Sequence, residues 1–364
     1  MILPEMHSES AAAATLLKKG GVVAFPTETV YGLGADASNP SAVQRIFEIK
    51  GRPFDHPLIV HIADSSKLQY WAEEVPEQAW RLAEHFWPGP LTLILRRSSR
   101  TPGEVTGGQD TVGLRVPAHP VALALLDALG PEGALAAPSA NRFGHVSPTT
   151  AAHVHEELGD SVDMILDGGP CQVGLESTIV GFEGLGSQKD DKEGNQEGNR
   201  AVILRPGGIS LAALAEVLDG KIILGKSSNR TPRVPGALAS HYAPATPLEL
   251  WPSEHLPHRT LELGSKGLNV AIMTWSPHYP KQMNYSKNER TVFLPMPPEP
   301  ESYGRLLYAT LRRLDNEGFD CLLIETPPDE PEWMAVADRL RRASVPVSSC
   351  ADVLKTSKNE AVYG

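Results

Sequence analysis

The sequence predicts two domains of mixed α and β structure: an α+β domain on a twisted mixed open sheet (residues 1–224), then a smaller α/β domain on a parallel sheet (residues 248–364), with a linker at 225–247 between them. Three observations carry this reading. The chain has 364 residues, and single hydrophobic cores stop growing at about 250 to 300. As far as residue 205, strand and helix patterns mix without the strict alternation of a doubly wound sheet. Then comes GKSSNRTPRVPGALASHYAPATP, a linker composition rich in Pro, Ser and Gly, and beyond it apolar strand patterns alternate with helices.

The first element is a helix from Ser8 to Lys19, where alanines and leucines recur at helical spacing and stop at Gly20-Gly21, the residue type that tolerates a left-handed cap. GVVAFP (Gly21 to Pro26) is short and β-branched and predicts a strand; the polar TETVYGLG after it predicts a turn. Asn39 stands where it can cap a helix from Pro40 to Lys50 carrying Val43, Ile46, Phe47 and Ile49, and LIVHI (Leu58 to Ile62) predicts a strand. Further strands are predicted at Leu91 to Arg96, Val112 to Val116, Met164 to Asp167, Ser177 to Phe182 and Ala201 to Arg205, with helices at Glu77 to His85, Pro120 to Leu129 and Thr150 to Leu158.

Between Glu183 and Arg200 the chain is almost free of apolar residues and cannot order itself by burial, so the flanking strands predict a hairpin with an extended loop. After the linker, strands are predicted at Val270 to Thr274 and Cys321 to Glu325, with helices at Ser302 to Asn316 and Trp333 to Ala343.

Composition narrows the function. Hydrophobic residues make up 41% and charged residues 21%, the balance of soluble globular proteins, and no apolar run reaches the roughly 18 residues of a membrane span. The N-terminus lacks the basic start, apolar block and cleavage site of a secretory signal, so a cytoplasmic protein without membrane partners is expected. Cys171, Cys321 and Cys350 lie far apart without a CxxC pair, which predicts buried or inert thiols and no protein-held metal. With 33 basic and 44 acidic residues the net charge is −11, which disfavours stable direct binding of nucleic acid through phosphates. There is no GxxxxGK[ST], HExxH, GxSxG or GxGxxG, so a nucleotide would have to be held by scattered contacts.

Polar residues concentrate between Pro26 and Ile62. Lys50 and Arg52 flank a glycine beyond a helix, so their backbone is expected to be non-helical and both heads can converge on one polyanion, with a planar fork beside a point charge. Taken alone, KxR equally describes a solvated basic turn. Thr27, Glu28, Thr29 and Tyr31 follow a buried strand, where open sheets place ligands, although Thr and Gly also make ordinary hydrogen-bonded turns. His61, inside an apolar strand, reads as either a core histidine or a ligand contact.

In APSANRFGHVSPTTAAHV, Ser139, Asn141 and Ser147 offer small donors ahead of a helix, which suits phosphate or ribose oxygens as well as it suits a capping loop. Arg115 in GLRVP is expected to meet a carboxylate of the protein or of a substrate, because an unpaired buried guanidinium is costly.

Together, PTETVYGLG, KGRPxxxPLIVHI, PSAN, ESTIV and RPGGI stand in the order of the YrdC-like threonylcarbamoyl-AMP synthases, and over residues 8–220 the chain resembles that family. SHYAP and the following α/β segment look like its longer two-domain subgroup. The resemblance implies a twisted open sheet, similar to a double-stranded-RNA-binding fold, around a positively charged cavity. It implies an enzyme, a nucleotidyltransferase that joins L-threonine, bicarbonate or CO2 and ATP into threonylcarbamoyl-AMP and pyrophosphate, for modification of tRNA beside the anticodon.

In residue terms it implies that Thr29, His61, Arg115, Ser139 and Ser177 approach L-threonine, and that Lys50, Arg52, Asn141, Ser147 and Arg205 approach ATP. Lys50 and Arg52 are the expected catalytic cations, Tyr242 or His241 of the linker would cover the nucleotide, and Mg²⁺ would bind through the ATP phosphates. At position 56 a histidine stands where many relatives are associated with asparagine. The expected partner downstream is the tRNA threonylcarbamoyl transferase machinery. Two other readings stay open: an RNA-gripping module, and a carbamoyl transferase with a different acceptor.

Overall fold

The computed structural model describes residues 4–183, 200–225, 232–236, 241–276 and 291–344. The extended loop after Glu183, Cys350 and parts of the linker (226–231 and 237–240) lie outside the described residues. Two compact units emerge, Met1–Phe143 with Ser147–Ala237, and Gly144–Val146 with Leu238–Gly364. Gly144–Val146 joins the second unit by local bonds there: the Ala243 N–H donates to Gly144 O at 2.9 Å, and the Arg312 guanidinium donates to Val146 O.

The first unit runs α1 (Pro4–Lys18), β1 (Val23–Phe25), β2 (Gly32–Asp36), α2 (Pro40–Lys50), β3 (Ile59–His61), α3 (Leu68–Trp71), β4 (Ala72–Glu73), α4 (Glu77–Phe86), β5 (Leu91–Arg97), α5 (Gly103–Thr106), β6 (Thr111–Arg115), α6 (Pro120–Leu129), β7 (Leu135–Ala137), α7 (Ala151–Leu158), β8 (Met164–Ile165), β9 (Thr178–Phe182), β10 (Ala201–Arg205), α8 (Leu211–Val217) and β11 (Ile222–Leu224). Its mixed sheet has the order β11-β10-β9-β5-β6-β3-β7-β2-β1-β8, with β4 paired to β5. β9 and β10 pair antiparallel, as the hairpin reading requires.

The second unit adds β12 (Leu248–Trp251), α9 (Leu256–Ser265), β13 (Val270–Thr274), β14 (Thr291–Pro295), α10 (Pro300–Asn316), β15 (Cys321–Glu325) and α11 (Met334–Ala343). Its sheet, β12-β15-β13-β14, is parallel throughout.

Local chemistry explains the elements that set the site. Asn39 accepts the Ala42 N–H, Pro40 opens α2, and Ala42, Val43, Ile46 and Phe47 form its buried face. Gly51 closes the helix at φ 62°, a left-handed conformation that costs glycine nothing sterically. Lys50 is therefore the last residue of α2. This corrects the expectation that both cations of KxR lie on non-helical backbone; only Arg52 does, and the Gly51 reversal separates them.

YGLG is not a turn either, because Gly32 and Gly34 belong to β2, paired antiparallel with β1. The Phe25 ring lies across both residues: a Cβ at 32 would stand 2.9 Å from its Cζ, and one at 34 would stand 2.8 Å from its Cε1. Glycine is needed there for close approach, which overrides its turn tendency.

The two faces of the sheet differ. On one, Val60, Leu91, Leu93, Leu95, Val112, Leu114 and Ala136 join the large core with residues of α2 and α4. On the other, α1 and α6 cover Val23, Phe25, Leu135 and Ala137, while Ile94 packs with Ile179 and Val234. Between those two apolar patches the alternation puts Thr92, Arg115 and His61 on that second face.

Candidate active site

Strand register builds the centre of the site. His61 pairs with Arg115 and with Leu135, and Thr92 pairs with Ile179. One step past the Leu93–Leu114 pair, Thr92 comes opposite Arg115, so Ile179, Thr92, Arg115, His61 and Leu135 form a row across five strands. Gly113 leaves room beside it, since a Cβ there would meet Ile94, Thr92 and Ile59 at 3.2, 3.4 and 3.6 Å.

Arg115 has the carboxylate partner its sequence context requires. Its Nη2 lies 2.7 Å from Glu28 Oε1, with both side chains almost fully buried, and its Nε donates to Gly89 O. Glu28 Oε2 accepts the Ala118 N–H at 3.0 Å. The Val173 N–H donates to Glu28 O, which draws the segment leading to Glu176 and Ser177 alongside.

His61 is neutral at ordinary pH: burial, reinforced by the Arg115 charge, pulls its pKa from 6.5 down to about 3. The folded value lies below the unfolded one, so this stabilising contribution is complete above about pH 6.5 and fades as the pH falls toward 3. Between pH 6.5 and pH 5 the loss should be about 2 kcal/mol. Urea midpoints of wild type and His61→Gln at both pH values test this. The variant should lose less stability on acidification, and equal losses would refute the burial of a neutral imidazole.

Ser177 sits at the head of β9. Its hydroxyl is 2.8 Å from that of Thr92, and it accepts from Arg205 Nη2 at 3.1 Å. Arg205 also donates to Ser177 O and Pro235 O. The following RPGG turn needs its first glycine, since a Cβ on Gly207 would fall 2.3 Å from Thr178 N and 2.4 Å from Glu176 O. Ser147, fully buried, donates to Glu176 Oε1 at 2.6 Å.

A second cluster surrounds the end of α2. Lys50 is buried with its Nζ donating to Ser139 O at 2.6 Å and to Asn141 O. Burial, then the Arg52 charge, pushes its pKa well below the usual lysine value. Arg52 donates to Pro57 O at 2.9 Å and lies over the Phe143 ring. His56 packs edge-on against the same ring, its pKa lowered by burial and then by Arg52. Asn141 Nδ2 donates to Arg142 O, and half-buried Ser139 bridges to Gly32.

Thr29, fully buried, has its hydroxyl 2.8 Å from that of Thr27, which also donates to Val30 O. Tyr31 donates to Gly169 O at 2.9 Å, so its hydroxyl holds the loop after β8. Cys171 is buried and its thiol pushed up to about 12, first by burial and next by Glu28. Tyr242 belongs to the second unit, where its ring stacks on Tyr308 and lies under the Arg339 guanidinium; His241 donates its N–H to Arg342 O.

Linked through the sheet, Thr92, Arg115, His61, Ser177 and Arg205 come together; Lys50, Arg52, Ser139 and Asn141 form the neighbouring cluster. Thr92 and Glu176 are the partners that sequence reasoning did not single out, and Glu28, placed there among the polar residues after β1, was not identified as the partner of Arg115. The alternation in LTLIL and TVGLR is the signal that points to Thr92 and Gly113 facing Arg115. No comparable signal marks the carboxylates, whose partners lie 87 and 29 residues away along the chain.

Comparison with known proteins agrees with this architecture. A family model described as "Telomere recombination" matches residues 15–189, and one described as "Threonylcarbamoyl-AMP synthase, C-terminal domain" matches residues 209–345. The threonylcarbamoyl-AMP synthase of Pyrococcus abyssi is 39% identical over 343 residues, covering 91% of this chain and 93% of that protein. That of Bacillus subtilis is 40% identical over 348 residues and covers 92% of each. The crystal structure of P. abyssi Sua5 complexed with L-threonine superposes with a TM-score of 0.78 at 38% identity, over 93% of this chain and 94% of that one. Likeness at this identity over almost the whole of both chains, domain by domain, establishes that the chain belongs to the threonylcarbamoyl-AMP synthase family.

Proposed function

We propose that the polar row and the cluster at the end of α2 are the two halves of one active site, in which L-threonine and ATP lie side by side. The chain is an ATP-using transferase that makes threonylcarbamoyl-AMP. Its threonine would take the row, with Arg115 gripping the carboxylate and Thr29, His61, Ser139 and Ser177 around the rest. ATP would take Lys50, Arg52, Asn141, Ser147 and Arg205. The observation that carries this is the burial of four cationic side chains, Lys50, Arg52, Arg115 and Arg205, within one compact unit. Sites for polyanions are built this way.

The threonine amine combines with bicarbonate or dissolved CO2 to give a carbamate, and a carbamate oxygen attacks the α-phosphate and expels pyrophosphate. Catalysis is then positioning and charge neutralisation, with no covalent enzyme intermediate. Among the described residues no group of three His, Cys, Asp or Glu could hold a metal ion. The nucleotide half instead consists of cations, hydroxyls and an amide, a donor set compatible with Mg²⁺ held mainly through phosphate oxygens. When bound, the ion would offset phosphate charge.

Transfer of the product to tRNA would fall to a separate transferase in the same compartment, for which the cytoplasm is the natural reading. No described helix is long and apolar enough to cross a membrane. Mass detection tests the whole: the purified chain with ATP, Mg²⁺, threonine and bicarbonate should yield threonylcarbamoyl-adenylate and pyrophosphate. Pyrophosphate release that does not depend on threonine would sink the proposal.

A further inference from the structure

Threonine arrives as a zwitterion, and the residues proposed for it above serve its carboxylate and hydroxyl but leave its ammonium without a counter-charge. We propose that Glu28 binds that ammonium through Oε1 and accepts the proton whose loss makes the nitrogen nucleophilic. This rests on the reading of the row as the threonine site.

Glu28 is 5% exposed. Its two oxygens differ: Oε2 accepts the Ala118 N–H, whereas Oε1 has no hydrogen-bond partner among the described residues. The 2.7 Å approach of Arg115 Nη2 to Oε1 lacks hydrogen-bond alignment, and that Nη2 is likewise without an acceptor. A buried carboxylate oxygen and a buried guanidinium nitrogen held 2.7 Å apart as an ion pair, with no aligned hydrogen bond to either among the described residues, leave directions open to a ligand that can pair with both.

The other titratable groups that feel Glu28 are His119 at the start of α6, whose pKa burial lowers, and Cys171, whose thiol burial raises to about 12. Neither supplies a positive charge at neutral pH, and the cation paired with Glu28 among the described residues is Arg115. When the Arg115 fork turns to the threonine carboxylate, the threonine ammonium is the cation that can replace it. One pair becomes two, with no net change in charge.

The ammonium gives one proton to Glu28 Oε1. The free amine attacks the carbon of bicarbonate, forming the N–C bond; the C–OH bond breaks, and the hydroxyl leaves as water with a second proton from nitrogen. Carbamate, water and protonated Glu28 result, and Glu28 returns its proton to solvent after product leaves.

The test is Glu28→Gln, which keeps the side chain's shape and an oxygen for the Ala118 N–H. With threonine varied, its kcat/KM at about pH 7 should fall on the order of 100-fold, with ATP affinity unchanged. The deficit should shrink as the pH rises through the ionisation of the free amine, because a neutral amine no longer needs an acceptor. A deficit of constant size across that range, or no deficit, overturns the proposal. Should the variant fail to fold, calorimetry on wild type decides: the acid with a hydroxyl in place of the threonine amine should bind at least roughly 100-fold more weakly than threonine, and equal affinity overturns it. A wild type that makes no threonylcarbamoyl-adenylate would instead refute the functional reading itself.

Discussion

Replacing Arg115 with methionine should destabilise the protein by about 3 to 5 kcal/mol and abolish threonine-dependent product, the largest combined effect expected of a single substitution in this site. The stability loss follows from what remains behind. Glu28 would be left at a position 5% exposed without its guanidinium, keeping the Ala118 N–H, and a buried carboxylate stripped of its partner is worse than no pair at all. The prediction therefore includes its own control. Glu28→Gln combined with Arg115→Met should recover much of the stability while leaving the enzyme inactive, and denaturant midpoints for the four species of the double-mutant cycle measure the coupling. Additive effects of the two substitutions would show that Glu28 and Arg115 do not act as a pair.

Lys50→Met should leave a folded protein whose kcat/KM for ATP falls by about 100-fold to 1000-fold. Two opposing terms keep the stability change small. The Ser139 and Asn141 carbonyls lose their donor, at about 1 to 3 kcal/mol for each group left unsatisfied. Against that, a buried ammonium whose pKa is already pushed down by burial and by Arg52 no longer has to be accommodated. Pyrophosphate release and the circular-dichroism melt, measured on the same preparation, separate the two effects. A variant that melts like wild type and turns over at the wild-type rate would remove Lys50 from the phosphate site.

What could be read from the sequence, and what could not, divides by distance along the chain. α2, α6, β10, β13 and β15 have the ends their spacing predicts, because caps, β-branching and helical periodicity are decided by neighbours. The β9–β10 hairpin was legible for the same reason. YGLG was misread because its glycines answer to Phe25 on another strand, a contact that no local rule contains. The short strands β7, β11 and β12 offer no alternation long enough to be seen; pairing within their sheets defines them.

In the site, the charge on Arg115 announced a carboxylate, but Glu28 lies 87 residues earlier, and only the sheet brings the two together. The contribution of Gly144–Val146 to the second unit was equally out of reach, since it depends on a bridge between His145 and Ala243.

Because Arg115 and Thr92 occupy alternate positions on strands whose intervening residues are Leu114, Leu91 and Leu93, the row proposed to hold threonine and the core share a single alignment. A slip of one residue between β5 and β6 would turn a leucine toward the site proposed for threonine and drive a guanidinium into hydrocarbon. Misaligned copies would thus be both silent and unstable, and turnover per molecule doubles as a measure of how faithfully a preparation has folded.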